Sequence, residues 1–272
     1  PVREMTEKAK LISATSLDLR LRSNGNRDEL SELASTFNDM LSRLESSFDA
    51  QKNFVSNISH ELRTPLSAII AELELALSKD RANEEYKTII QRALSDAQKL
   101  ARLSNSLLDL AKAHYDITEL SYKKIRIDEV LLDARQIVLQ SNPNYKIHIH
   151  FDLESENVED ITINGNEYLL RVAFANLMEN GCKFSEDNSV DIHIKNIPGK
   201  VQLLFCDKGI GIPDEDIPNL FTPFFRGKNN QYAQGYGIGL SLTHKIITLH
   251  KGSIDVSSKI GQGSSFIVVL PV

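Results

Sequence analysis

The chain has 272 residues, of which 41% are hydrophobic and 25% charged, with a formal net charge of −6. This balance suits a folded protein of two or three modules and argues against nucleic acid as the main partner, since no basic patch stands out. No apolar run approaches the ~20 residues of a membrane-crossing helix, no secretory pattern opens the chain, and Cys182 and Cys206 form neither a disulfide framework nor a metal spacing.

The first segment, "PVREMTEKAKLI", starts with a helix-favouring Pro and spaces Val2, Met5, Ala9 and Ile12 by three, four and three. A connector with alternating Leu17, Leu19 and Leu21 then leads through "SNGNRD" into a long second helix. There Leu30, Leu33, Phe37, Met40, Leu44, Phe48, Gln51, Val55, Ile58 and Leu62 keep a three-four rhythm with no breaker. A seam of that length implies coiled-coil or bundle association, because one chain offers too little partner surface. After the polar turn "SKDRAN", a helix over residues 83–113 carries Ile90, Leu94, Ala97, Ala101, Leu108 and Ala111 on one stripe. Two copies of such an antiparallel hairpin close a four-helix bundle, so a homodimer is expected.

From residue 120 the period changes. "KKIRI" and "KIHIHFDL" alternate as strands do, "NEYLLRVAFANLMENGCKFS" reads as a helix, and "VDIHIKNI" and "KVQLLFC" read as strands. A glycine-rich stretch leads to a helix at about 240–250, and "GSIDVSS" and "SSFIVVL" close the chain as strands joined by a turn in "GQGSSF". The expected fold is an all-α first half followed by an α/β sandwich. Its irregular segment, "DKGIGIPDEDIPNLFTPFFRGKNNQYAQGYGIG", exceeds ordinary loop length, which marks functional loops.

Three constellations carry chemistry. In "FVSNISHELRTPL", Val55, Ile58, Leu62, Leu66 and Ile69 form the apolar stripe, and His60 points away from it on the side of Ser56, Thr64 and Ser67. A neutral imidazole has a nucleophilic ring nitrogen and benefits from a carboxylate that manages its other proton. Glu61 is the nearest candidate, although adjacent helix positions lie 100° apart. Thr64, one turn on, faces His60 and can place a water there. Pro65 lacks the N–H that a helix interior uses, so a bend is expected just after His60.

In "NLMENGCKFS", Asn176, Glu179, Asn180 and Lys183 share one arc while Leu170, Ala173, Phe174 and Leu177 take another. Amide oxygens, a carboxylate and an ammonium on one face suit hydrated Mg²⁺ and the phosphates it bridges. Gly181 costs ~1 kcal/mol within a helix, which suggests a close approach there. "DKGIGIP" places Asp207 at a strand end, where it can accept a hydrogen bond from an amino group such as adenine's. "GYGIGL" precedes a helix, whose free N–H groups favour phosphate.

Together these stretches resemble the cytoplasmic part of transmembrane sensor histidine kinases of two-component signalling. "FVSNISHELRTPL" resembles that family's H box, "NLMENGCKFS" its N box, "DKGIGIP" its first glycine box, "FTPFFRG" its F box and "GYGIGL" its second glycine box, all in family order. The resemblance implies a HAMP linker over residues 1–48, opened by Pro1 with Asp28-Glu29 opening its second helix. It further implies a dimerisation and phosphotransfer hairpin over 49–117 and an ATP-binding domain of the gyrase/histidine-kinase type over 118–272. It implies that His60 is the phosphoacceptor, Glu61 its acid/base partner and Thr64 the residue positioning hydrolytic water; Arg63 and Pro65 match the motif. Asn180 and Asn176 are implied to hold Mg²⁺ and Lys183 to contact phosphate. Asp207 is implied to read adenine, with Gly209 and Gly211 letting the base approach. Residues 226–239 are implied to form a mobile lid, with Arg226, Gly235, Gly237 and Gly239 near the phosphates, and Phe184 and Leu240 join the nucleotide-binding set. The implied cofactors are ATP and Mg²⁺. The implied partners are a second copy of the chain, a response-regulator receiver domain and an upstream transmembrane sensor segment of an inner-membrane protein.

Two departures and two rival readings remain. Gly181-Cys182 replaces the commoner small-plus-aliphatic pair, which questions helix rigidity there, and the lid is unusually rich in Asn and Gln. Gyrase-type and mismatch-repair ATPases share the sandwich but lack an H box on a dimeric hairpin. A degenerate kinase acting as a scaffold would lack expected chemical groups, and none is missing.

Overall fold

A computed structural model of the protein describes residues 19–21, 29–114, 122–151, 161–227 and 235–272. The expected helix at "PVREMTEKAKLI", Leu17 and the centre of the expected lid lie outside these residues. The chain divides into two compact units, Pro1–Thr64 and Pro65–Val272.

Helix α1, Glu29–Leu77, begins in the first unit and runs unbroken through Pro65. Ala34 and Leu41 are its fully buried side chains in that unit. The face carrying them receives the connector. Asn38 accepts from the Leu21 backbone N–H at 2.8 Å through Oδ1 and donates to the Leu21 carbonyl at 3.0 Å through Nδ2. Arg20 reaches Ser42 and forms an ion pair with Glu45. The expected seam is a different stripe: Leu33, Met40, Leu44, Phe48 and Val55 are exposed in the single chain. Helix sides differ by only 100° per residue, so one helix can carry both a face for its own chain and a face for another.

In the second unit, the end of α1 is closed by Ser78 and Arg81, which both donate to the Leu75 carbonyl. Helix α2, Asn83–His114, follows. It has a second apolar side beside the stripe read from the sequence. Ile89, Ala93, Leu103 and Leu110 are buried within the chain, whereas the expected Ile90, Leu94 and Leu108 are exposed at 56–58%. The helix is apolar on two sides, and periodicity alone does not say which side the chain covers for itself.

The α/β domain opens with β1 (Lys123–Arg126), then α3 (Ile127–Ser141), β2 (Lys146–Phe151), β3 (Thr162–Gly165) and α4 (Glu167–Phe184). Strands β4 (Ser189–Ile197) and β5 (Lys200–Asp207), helix α5 (Gly239–Leu249), β6 (Ser253–Lys259) and β7 (Gly263–Pro271) complete it. The main sheet runs β2-β4-β5-β7-β6, parallel between β2 and β4 and antiparallel elsewhere, and β1 pairs with β3 apart from it. Alternation fixes its faces. Ile192, Ile194, Leu203, Phe205, Val268 and Leu270 point inward and are at most 2% exposed. They join a core with Phe174, Leu177 and Met178 of α4 and Ile246 and Ile247 of α5. Their sequence neighbours, such as Asp191, Gln202 and Ser265, face outward.

Helix α3 and strand β3 were not anticipated. Ile127, Val130, Leu131, Ala134 and Val138 do keep helical spacing and are buried. The helix starts directly off β1, however, and its capping residue Arg126 contributes no side-chain cap, so the usual boundary signal is missing. The domain also touches α2. Tyr168 donates to Asp109 Oδ1 at 2.8 Å, and the Lys112 ammonium sits 5.1 Å from the Tyr168 ring centroid.

Candidate functional site

His60 is exposed on α1, as expected from its position opposite the apolar stripe. Thr64 shares its side and donates its hydroxyl to the His60 carbonyl at 3.1 Å. Pro65 cannot donate to the Glu61 carbonyl four residues back, so helical bonding is locally weakened beside His60. Glu61 is half-buried and adjacent to His60, about 100° from it around the helix.

A second constellation lies in the α/β domain. Asn166 caps α4 by accepting the Leu169 N–H at 3.0 Å. Sequence reasoning passed over this residue, although an Asn before an acidic-then-apolar run is a helix-start signal. The inner face of α4 enters the core, leaving Asn176, Asn180 and Lys183 half-buried and Glu179, at the edge of the same arc, exposed. The glycines of the following segment come to this face. A Cβ on Gly239, the first residue of α5, would lie 3.4 Å from Asn176 Oδ1, and one on Gly235 would lie 3.1 Å from Lys183 Nζ. Leu240 is half-buried on the first turn of α5.

Electrostatics mark the same place. Burial pushes the Lys183 ammonium below its ordinary pKa; Glu179 opposes this, and the Arg226 charge adds to it. A half-buried ammonium therefore lies beside two amide side chains and feels the charge of the exposed Arg226, an arrangement that an anion relieves. Lys183 also sits 5.5 Å over the Phe184 ring. Asp207, the last residue of β5, accepts from the Gly209 N–H at 2.9 Å and the Ser264 N–H at 3.2 Å through Oδ1. Burial nevertheless holds its carboxyl above the usual range, with these bonds opposing the shift. A carboxylate has about four lone-pair sites, so acceptor capacity remains after two bonds.

Several glycines have a nearer cause than a ligand. A Cβ on Gly209 would strike the Phe184 carbonyl at 2.1 Å, and one on Gly211, at φ +72°, would strike the Lys259 carbonyl at 2.1 Å. Gly237, at φ +70°, packs against Phe224 and Phe225 in the same way. Gly181 is crowded by Val190 of β4, 2.6 Å from a built Cβ. The close approach expected there is the sheet itself, which lets α4 lie tightly on β4. Cys182, next to it, is buried, and its thiol is pushed up to about 12 by burial, so it is chemically quiet. Residues 228–234 of the expected lid lie outside the described residues.

Three stretches of the chain match described families. Residues 1–46 match the HAMP domain, 50–115 the His Kinase A (phospho-acceptor) domain, and 165–272 the Histidine kinase-, DNA gyrase B-, and HSP90-like ATPase. The chain is 31% identical over 95% of its length to "Probable sensor protein PcoS" of Escherichia coli, covering 55% of that protein. It is 30% identical over 99% of its length to the signal transduction histidine-protein kinase ArlS of Staphylococcus aureus (strain USA300), covering 59%. The chain thus spans a little over half the length of these curated relatives. Its fold resembles that of histidine kinase ThkA, solved in complex with response regulator protein TrrA. The TM-score is 0.66 at 19% identity, over 90% of this chain and 68% of that one. The phospho-acceptor match at 50–115 weighs against a gyrase-type reading of the ATPase fold.

Proposed function

The chain belongs to the sensor histidine kinase family, and we propose that it is the signalling part of a membrane-bound sensor that phosphorylates itself on His60 from Mg·ATP. The observation that carries this reading is the convergence of Asn176, Asn180, Lys183 and the start of α5 on one half-buried, cation-rich face. In it, the adenine amino group donates to Asp207, and the phosphates lie against Lys183, Arg226 and the free N–H groups at Gly239. The donor set fits Mg²⁺: Asn176 and Asn180 offer amide oxygens on one helix face, and few protein oxygens suffice for that ion. When bound, the ion offsets charge on the triphosphate.

The neutral imidazole of His60 attacks the γ-phosphorus in line. A nitrogen–phosphorus bond forms while the bond to the β–γ bridging oxygen breaks, and ADP leaves. Glu61 handles the proton of the other ring nitrogen. The phosphoryl group then passes to an aspartate of a response-regulator receiver domain. Thr64 places water for the reverse duty, removal of phosphate from that regulator. The exposed apolar stripe of α1 is the homodimer seam, and the HAMP segment relays the state of an upstream sensor through α1. The matches at 1–46 and 50–115 and the kinase relatives support this assignment.

Labelling with [γ-³²P]ATP tests it. His60→Gln should abolish acid-labile, base-stable phosphate while keeping ATP binding. Asn180→Asp should lose labelling through weakened Mg·ATP binding, and Thr64→Ala should keep labelling but lose phosphatase activity. Undiminished labelling of the His60 variant would remove that residue from the mechanism.

A further inference from the structure

Helices α4 and α5 lie side by side, and three contacts define how. Gly239 meets Asn176, Thr243 Oγ1 donates to the Ala173 carbonyl at 3.5 Å, and His250 meets Asn166. Numbers rise along one helix as they fall along the other, so the pair is antiparallel. One end of the pair is the proposed nucleotide site. The other end is closed by His250, directly after α5.

His250 is 4% exposed and uses both ring nitrogens. Nδ1 donates to the Ile246 carbonyl of its own last helical turn at 2.7 Å, and Nε2 accepts the Asn166 N–H at 2.9 Å. Because one partner can only accept and the other only donate, a single neutral tautomer satisfies both. Asn166 is also the residue that caps α4. Gly165 makes the approach possible: a Cβ there would lie 2.9 Å from His250 Cδ2. The middle rung is long at 3.5 Å, whereas the clasp at His250 is a well-formed hydrogen bond.

We propose that His250 is a positioning residue: by tying the end of α5 to the cap of α4, it fixes the axial register of the pair and so the place of Gly239 opposite Asn176. The inference rests on the nucleotide-site reading above. Protonation opposes the clasp, since a charged ring cannot accept the Asn166 N–H, and burial accordingly lowers the His250 pKa. The groups around it are Tyr122, whose ring centroid is 5.3 Å away, Glu167 beside Asn166, paired with Lys123, and Lys251 next in the chain.

The test measures Mg·ADP affinity of the full chain by calorimetry at about 15 °C, below the usual unfolding range of such domains, alongside Tm. His250→Phe keeps ring volume and removes both nitrogens; affinity should fall about fivefold or more, the value of one lost hydrogen bond. His250→Gln can both accept and donate, and should bind within about twofold of wild type by the same reckoning. Wild-type affinity should also weaken on acidification, with its onset displaced below the ordinary histidine value of about 6.5, and this extra weakening should be absent from the Phe variant. A lowered Tm with wild-type affinity and pH profile would make His250 structural only and overturn the proposal. Should the Phe variant not fold, amide spectra of wild type during acid titration decide. Asn166 and Gly239 resonances should move together with His250 protonation; a stationary Gly239 overturns the proposal. Wild type that binds no Mg·ADP at all would instead remove the site itself.

Discussion

The helical half and the α/β domain treat their apolar residues in opposite ways. In α1, Leu33 and Val55 are 59% and 56% exposed in the single chain. In the sheet domain, Ile192, Leu203, Val268 and Phe174 are fully buried. The domain completes its own core, because a sheet with helices on one face encloses a volume. A long helix encloses nothing and leaves a stripe whose burial waits on another chain. In the proposed function, chemistry divides along the same line: the nucleotide face lies on the closed core, and the nucleophile on an exposed helical position.

The sharpest break in this contrast comes from the cores. Phe205→Ala should destabilise the α/β domain by about 3–5 kcal/mol, as large-to-small changes in a closed core do. Its unfolding midpoint should not depend on protein concentration; such dependence would mean that this core too is shared between chains. Leu44→Asp should leave the domain's own midpoint unchanged but shift the helical half toward monomer, because stability there depends on concentration. Analytical ultracentrifugation reads this, and an unaltered sedimentation coefficient would show that the stripe is not the seam.

Smaller effects probe the join and the periphery. Tyr168→Phe removes the bond to Asp109 and should cost about 1 kcal/mol or less at this exposed site, read as a small Tm shift. An unchanged Tm would show that α2 is held by packing alone. Asp187 is kept near pKa 2 by hydrogen bonds from Ser185 and Ser189. Its folded pKa lies below the unfolded one, so its contribution is complete above about pH 4. That contribution should fade as pH falls toward 2, and Asp187→Asn should flatten this part of the acid-unfolding curve.

Much of this is legible in the sequence. The strands of the main sheet, helices α4 and α5 and the exposure of His60 follow from periodicity, because side-chain direction is fixed by local geometry. The four-residue β3 and the uncapped α3 were not readable, since neither carries a boundary signal. Gly181 shows a further limit. Its cost was visible in the sequence, but Val190, the neighbour that demands it, is a strand residue brought there by the fold.

By itself the sequence determined the order of motifs, the face of α4 that carries Asn176, Asn180 and Lys183, and the side of α1 that carries His60. Each is a matter of spacing along one element. Tertiary structure alone decided which of α2's two apolar sides the chain covers, that Gly209 and Gly211 yield to the chain's own carbonyls, and that His250 closes the α4–α5 pair. These depend on packing between residues far apart in the chain, and no local periodicity encodes a neighbour that only folding supplies.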